Sequence, residues 1–373
     1  MATATGVFFL SITAVPVCYS MNLLTSMNDH RLVFGGACLI LAAIIFLSYL
    51  IISLTTSKRS RKPNDLFFYV FSLFAFTSVV DLVIGLELDG IINNFVAFYL
   101  KEGELYLNTA YGTMINYWDG TAHYCMYLMM VTAIVWNQGY REIGLYWVGS
   151  VMNSIVVFLP GNIAGKFGAD LKASYLLNMP YIIFPLLGAY RFLQSRKPVN
   201  IPKEQLKLRQ NKSIFQRPFD LVMVIYLVLS CAFSLLRMLA AMDSPIPFAQ
   251  TYVKFYEPYL LDPVIYPKLQ MLVYWFYFTP YRLCAIYGLL YPGCEWMSDW
   301  ALIHAGAAIQ GQFSHIGSSL HSRTPYILRV PINTRPTFWV INLALLVFPQ
   351  LLAWRCLTKP AFFVKQSNKP KTN

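Results

Sequence analysis

LVFGGACLILAAIIFLSYLIIS, residues 32–53, runs for 22 residues without a charged side chain. As an α-helix at about 1.5 Å per residue it would reach roughly 30 Å, the thickness of the hydrocarbon core of a bilayer. Working outward, nine further predominantly apolar runs of comparable length occur, near 5–27, 66–87, 115–136, 143–165, 171–194, 219–242, 264–290, 298–320 and 337–357. Only 12% of the 373 residues are charged and 57% are hydrophobic, whereas soluble domains carry about 25% charged residues. The expected class is therefore an all-α integral membrane protein with about ten transmembrane helices. The ninth run is the least apolar, holding His304, Gly306, Gln310, Gly311, Gln312 and His315, and the fifth is also soft. Both are expected to be covered partly by other helices rather than by lipid.

A net charge of +12 would suit a nucleic-acid binder, but the positions of the charges speak against one. With both termini cytosolic, eighteen of the 29 Lys and Arg residues fall on the cytosolic side, eight on the opposite side and three within helices. That is the positive-inside distribution. No basic n-region and small-residue cleavage site precede the first run, so it is expected to be retained as a helix. The seven cysteines show no CxxC pair and read as small buried apolar residues. Lys369 and Lys371 stand five and three residues from the end, in the pattern of a cytosolic retrieval signal for the endoplasmic reticulum. The sequon at Asn211 lies in the long cytosolic connection and should remain unmodified.

Sliding the chain on itself by 157 residues superposes Ala75-Phe76 on Ala232-Phe233, Tyr117-Trp118 on Tyr274-Trp275, Gly149 on Gly306 and Asn153 on Gln310. The chain thus reads as two parallel four-helix repeats after two extra helices. At this offset Asp81 falls on Met238 and Asp119 on Phe276, so only the first copy keeps two intramembrane carboxylates. An Asp at a helix centre costs about 2.5–3.5 kcal/mol on insertion scales, which makes such a residue a functional candidate. Asp81 and Asp119 are expected about 6–9 Å below the luminal surface, counted at 1.5 Å per residue. Thr77, Ser78 and Gly85 neighbour the first, and Asn116 and His123 the second. Tyr117, Trp118 and Tyr124 would wall the resulting pocket. The structural alternative is that these polar groups lock helices together. His304 and His315 lie too far apart on one helix to ligate one metal. Arg237 is expected to snorkel or to pair with a luminal acid such as Glu257. No P-loop, HExxH, GxSxG or EF-hand pattern occurs, and no metal or cofactor is expected.

The runs FTSVVDLVIGLE (76–87), KEGELYL (101–107), YWDG (117–120), GLYWVGS (144–150), FLPGN (158–162), YEPYL (256–260) and QFSHIG (312–317) closely resemble the transmembrane six superfamily, nearly from end to end. That resemblance implies two EXPERA modules, the four-helix unit shared with the emopamil-binding sterol isomerase and the sigma-two receptor. It implies the endoplasmic reticulum and its intermediate compartment, with a role in lipid loading of secreted lipoproteins, or alternatively the lysosomal membrane. Carried over residue by residue, the isomerase His position looks like Asp81, its first Glu looks like Gly85 and its second Glu looks like Asp119. The Asn and aromatic of its last helix look like Asn178 and Tyr181. Loss of the His and one Glu departs from the isomerase pattern, which needs a proton donor and acceptor around a cation-like intermediate. The two-acid arrangement is closer to the sigma-two receptor.

The division that follows is two N-terminal helices (1–60), a first EXPERA-like module (61–194), a basic linker (195–218), a second module with a degenerate pocket (219–357) and a cytosolic tail (358–373). The expected function is binding of a sterol or related lipid at Asp81, Asp119, Thr77, Asn116, Tyr117, Trp118, His123, Asn178 and Tyr181, with control of neutral-lipid (triglyceride or cholesterol) handling or secretion. A sterol isomerase, with Asp81 and Asp119 as the candidate catalytic groups, is one alternative. A scaffold for lipid-handling protein partners is the other.

Overall fold

The computed structural model describes residues 2–24, 30–55, 65–196, 199 and 201–365. Lys369 and Lys371 lie outside the described residues. Fifteen α-helices make up these segments, and among the described residues there is no strand. The first expected span is two helices, α1 (Ala2–Ile12) and α2 (Ala14–Leu24). Pro16 has no N–H to offer the carbonyl of Ile12, so the ladder breaks at Thr13, whose own N–H bonds back to the Leu10 carbonyl. The quoted run forms α3 (His30–Thr55), much of whose surface faces outward.

The first bundle comprises α4 (Phe67–Leu88), α5 (Ala110–Trp118), α6 (Tyr124–Val135), α7 (Arg141–Ala164) and α8 (Pro180–Gln194). A π turn at Asp119–His123 joins α5 to α6 as one continuous rod. The span expected over 171–194 starts later as an α-helix. Residues Ala173–Asn178 form a 3-10 turn, and α8 opens with Pro180 at its first position, where a missing N–H costs nothing. After the short basic α9 (Lys203–Gln210), the second bundle comprises α10 (Pro218–Ala241), α11 (Pro247–Phe255), α12 (Tyr266–Val273), α13 (Thr279–Leu290), α14 (Met297–Leu320) and α15 (Arg335–Thr358). A second π turn, Tyr274–Phe278, joins α12 to α13.

Among the described residues seven helical stretches are long and apolar enough to cross a membrane. The other three expected spans are also helical, but α5–α6 and α12–α13 are interrupted by their π turns, and α14 is rich in polar side chains. α14 carries Asp299, His304, Gln310, Gln312 and His315 because it is buried between α7 and α15, shielded from lipid.

The α7–α14 contact is close enough to exclude any side chain at two positions. A Cβ on Gly149 would lie 1.8 Å from the Ile303 carbonyl oxygen, and one on Gly306 would lie 1.9 Å from that of Tyr146. Between them Asn153 Nδ2 donates to Gln310 Oε1 at 2.5 Å. Asn153 and Gln310 correspond at the 157-residue offset, and the two glycine contacts are images of each other under it, since Gly149 corresponds to Gly306 and Tyr146 to Ile303. Small residues of this kind let helix backbones approach where apolar burial gives no drive for helices to associate.

At the expected cytosolic end, bidentate Arg–Asp pairs tie the helices together. Arg191 holds Asp65 at 2.6 and 2.8 Å, Arg141 holds Asp299 at 2.9 and 2.8 Å, and Arg355 holds Asp220 at 2.8 and 2.9 Å. Each pair matches two parallel N–H donors to two carboxylate oxygens.

Candidate functional site

The first bundle, together with α2 and α3, lines a half-open cavity of about 270 Å³. Six of the residues singled out in the sequence line it: Thr77 and Asp81 from α4, Asn116 from α5, Asp119 from the π turn, and Asn178 and Tyr181 at the start of α8. Thr77 and Asp81 are one helical turn apart and share a face, as are Asn116 and Asp119. The two faces are brought together by Gly120, whose Cβ would lie 2.8 Å from the Leu82 backbone nitrogen and Cα atoms. Only glycine lets the π turn press against α4 at this depth, and the turn itself displaces Asp119 from a regular helical register. π turns of this sort are frequent at functional sites.

The polar groups of the cavity are individually restrained. Thr77 Oγ1 and Tyr181 OH share a hydrogen bond of 2.6 Å, and the Tyr181 ring stacks on Phe74 at 4.6 Å. Asn116 Nδ2 donates to the Gly112 carbonyl at 2.8 Å. Asp119 Oδ1 is bonded to His123 Nδ1, and His123 Nε2 lies 2.7 Å from Ser150 Oγ on α7. Asp81, by contrast, has no hydrogen-bond or ion-pair partner among the described residues.

The aromatic walls lie elsewhere than expected. Tyr117, Trp118 and Tyr124 do not line the cavity, nor does His123. Tyr117 packs over Gly85 and donates to Asp89 Oδ2 at 2.8 Å, and Trp118 Nε1 donates to Ser150 Oγ at 2.9 Å. Tyr124 OH meets Ser11 Oγ on α1 at 2.9 Å. For Tyr117 and Trp118 the reason is helical angle, since residues two and one positions from Asp119 point about 200° and 100° away from it. The wall is supplied instead by α2 and α3, through residues such as Val17, Met21, Phe34 and Ile40.

Glu104 is the cavity group that the sequence did not mark as a site residue, although it stands inside the KEGELYL run. It is buried and accepts from Asn178 Nδ2 at 3.3 Å. Burial pushes its carboxyl up to about 7, against hydrogen bonds from Tyr106, Tyr99 and Asn178. Lys172 is the one basic residue on the lining, and it is exposed.

In the second bundle a buried acid has its own cation. Arg237, wholly buried, pairs with Glu257 and donates to Asn342 Oδ1 at 2.7 Å. This is the luminal-acid pairing expected for Arg237. His315 Nε2 lies 3.4 Å from the other Glu257 oxygen, whereas His304 packs against Tyr281 and Phe278.

Fold and site together define a multi-pass, all-helical membrane protein with an acid-bearing, mainly apolar cavity. Residues 13–203 match the family described as transmembrane 6 superfamily member 2-like, transmembrane domain. Transmembrane 6 superfamily member 2 of Mus musculus is 45% identical over 356 residues, covering 95% of this chain and 93% of the relative. The Rattus norvegicus and Homo sapiens proteins of that name are 44% and 45% identical, again over 95% of this chain and 93% of theirs. The chain belongs to the transmembrane 6 superfamily. No solved structure matches it.

Proposed function

We propose that this protein binds a sterol or related lipid in the first-bundle cavity, in the membrane of the endoplasmic reticulum and its intermediate compartment, and thereby regulates neutral-lipid handling or secretion. The observation that carries this reading is a cavity of about 270 Å³ whose apolar wall is broken by Asp81, Asp119 and Glu104. Apolar lining with a few convergent polar groups is the usual make-up of a small-molecule site. A helix-locking role does not account for Asp81, which faces the cavity without a partner on another helix.

A second reading, sterol isomerisation, is supported by one detail. Asp119 is held by His123, which is held in turn by Ser150, an arrangement that could orient a proton-transferring carboxylate opposite Asp81.

The test is binding of tritiated cholesterol, whose hydroxyl can donate to a carboxylate, to purified protein, with Asp81→Asn and Asp119→Asn. Each variant should weaken binding by about 1.5–3 kcal/mol, the size of a charge-assisted hydrogen bond, while the fold survives. Unchanged binding with lowered thermal stability would make these acids helix-locking residues. Conversion of a Δ8 sterol by the wild type but by neither variant would favour the isomerase.

A further inference from the structure

The two bundles hold the same carboxylate device in two states. Glu104 and Glu257 each precede a 3-10 turn, Leu105–Leu107 and Pro258–Leu261, with backbone angles of φ −128°, ψ 71° and φ −137°, ψ 67°. Both side chains are buried, and both accept a hydrogen bond of 3.3 Å from an asparagine amide, Asn178 in one case and Asn342 in the other. The difference is the counter-charge. Glu257 has the Arg237 guanidinium, which bridges it to Asn342. Glu104 has no basic side chain within salt-bridge distance among the described residues, and the space beside it is the cavity.

We infer that the ligand of the first bundle is an amphiphile bearing a protonated nitrogen, seated against Glu104 and Asn178 as Arg237 sits against Glu257 and Asn342. This rests on the lipid-site reading above and names the ligand class and the residue that selects it. Electrostatics favours it further. The groups facing Glu104 are Tyr99 and Tyr106 from its own segment, Tyr175 and Asn178 ahead of α8, Tyr266 at the start of α12 and Asp81 on α4. With Asp119, three carboxylates share one mainly apolar cavity with a single exposed ammonium, Lys172, on the lining. An anionic ligand would be repelled there, and an alcohol would leave the acids without a counter-ion.

The experiment uses purified full-length protein in detergent, tritiated cholesterol and tritiated 3β-aminocholest-5-ene. The wild type should bind the amine about tenfold or more tightly than the alcohol, since a hydrogen bond to a charged group adds about 1.5–3 kcal/mol. Glu104→Gln should bring the two affinities to within about twofold of each other, through a loss that falls mainly on the amine. A preference that survives Glu104→Gln, or an equal loss of both ligands, overturns the inference. A preference lost only in Asp81→Asn places the cation there instead and also overturns it. Equal wild-type affinities would leave the lipid site standing and remove the cation, whereas binding of neither sterol would remove both.

A readout without mutation covers a Glu104 variant that does not fold. An aliphatic amine stays protonated from pH 6 to 8, while Glu104 ionises near 7. The wild-type preference should therefore grow by about tenfold across that range. A flat ratio contradicts the assignment.

Discussion

Removing the buried cation of the second bundle provides a quantitative check on how that bundle is held. Arg237 is wholly buried, paired with Glu257, bonded to Asn342 Oδ1 and seated over the Phe233 ring at 4.6 Å. Arg237→Met keeps most of the side-chain length but leaves Glu257 charged and buried with only Asn342 and His315 beside it. Breaking one side of a buried pair typically costs about 3–5 kcal/mol. Glu257→Gln should cost a similar amount, because it strands the guanidinium. The double variant should recover most of the loss, to within about 1–2 kcal/mol of wild type, since neither charge remains. Equilibrium unfolding by SDS in mixed micelles measures all four species. The pH dependence has a definite sign. Burial opposes ionisation of Glu257, yet Arg237 and His315 outweigh it and hold the carboxyl below its usual range. Its contribution is therefore fully present above the unfolded value, near 4.3, and is lost as pH falls through the folded one. Wild-type stability should accordingly lose nothing through Glu257 between pH 7 and pH 5. Single variants that each cost under about 1 kcal/mol and add independently would refute the buried-pair argument.

Other outcomes follow from the same geometry. Gly149→Ala and Gly306→Ala force α7 and α14 apart and should each cost about 1–3 kcal/mol or more in the same unfolding assay. Gly35→Ala in α3, where a Cβ meets nothing within 4 Å, should be neutral or slightly stabilising. Tags at both termini should be protease-accessible when only the plasma membrane is permeabilised, and Asn211 should carry no glycan; a glycan there would reverse the orientation. Replacing Lys369 and Lys371 by Ser should move the protein beyond the early secretory pathway, and an unchanged distribution would make the lysosomal membrane the better address.

Much of the helix arrangement could be read from the sequence because bilayer thickness imposes a length on apolar runs that few other constraints imitate. The break at Thr13 also had a visible cause in Pro16. The π turns did not, because five ordinary residues adopt that register only when a neighbour presses on them, as α4 does through Gly120. The same division holds for the cavity. Asp81 and Asp119 stood out because a carboxylate in an apolar run is costly, and Thr77 and Asn116 followed from helical spacing. Tyr117 and Trp118 were misplaced as walls because adjacency in sequence was allowed to stand for a shared face. The contribution of α2 and α3 depends on long-range packing for which no local signal exists.

What separates a structural acid from a site acid here is where its counter-charge comes from. Asp65, Asp220, Asp299 and Glu257 each meet an arginine of the same chain. Asp262 instead caps a backbone amide, accepting from Val264 N at 3.1 Å. These are closed arrangements, complete when the protein folds, and loss of a partner should appear as loss of stability. Among the described residues Asp81 and Glu104 have no such cation, and Asp119 has only a histidine. An apolar surrounding disfavours a bare charge far more than water does, so Glu104, whose carboxyl burial pushes up to about 7, must take a proton or borrow a cation. Both routes couple its charge to what enters the cavity. The paired Glu257 should therefore report on folding, and the open Glu104 on ligand, although the two stand on nearly the same local backbone.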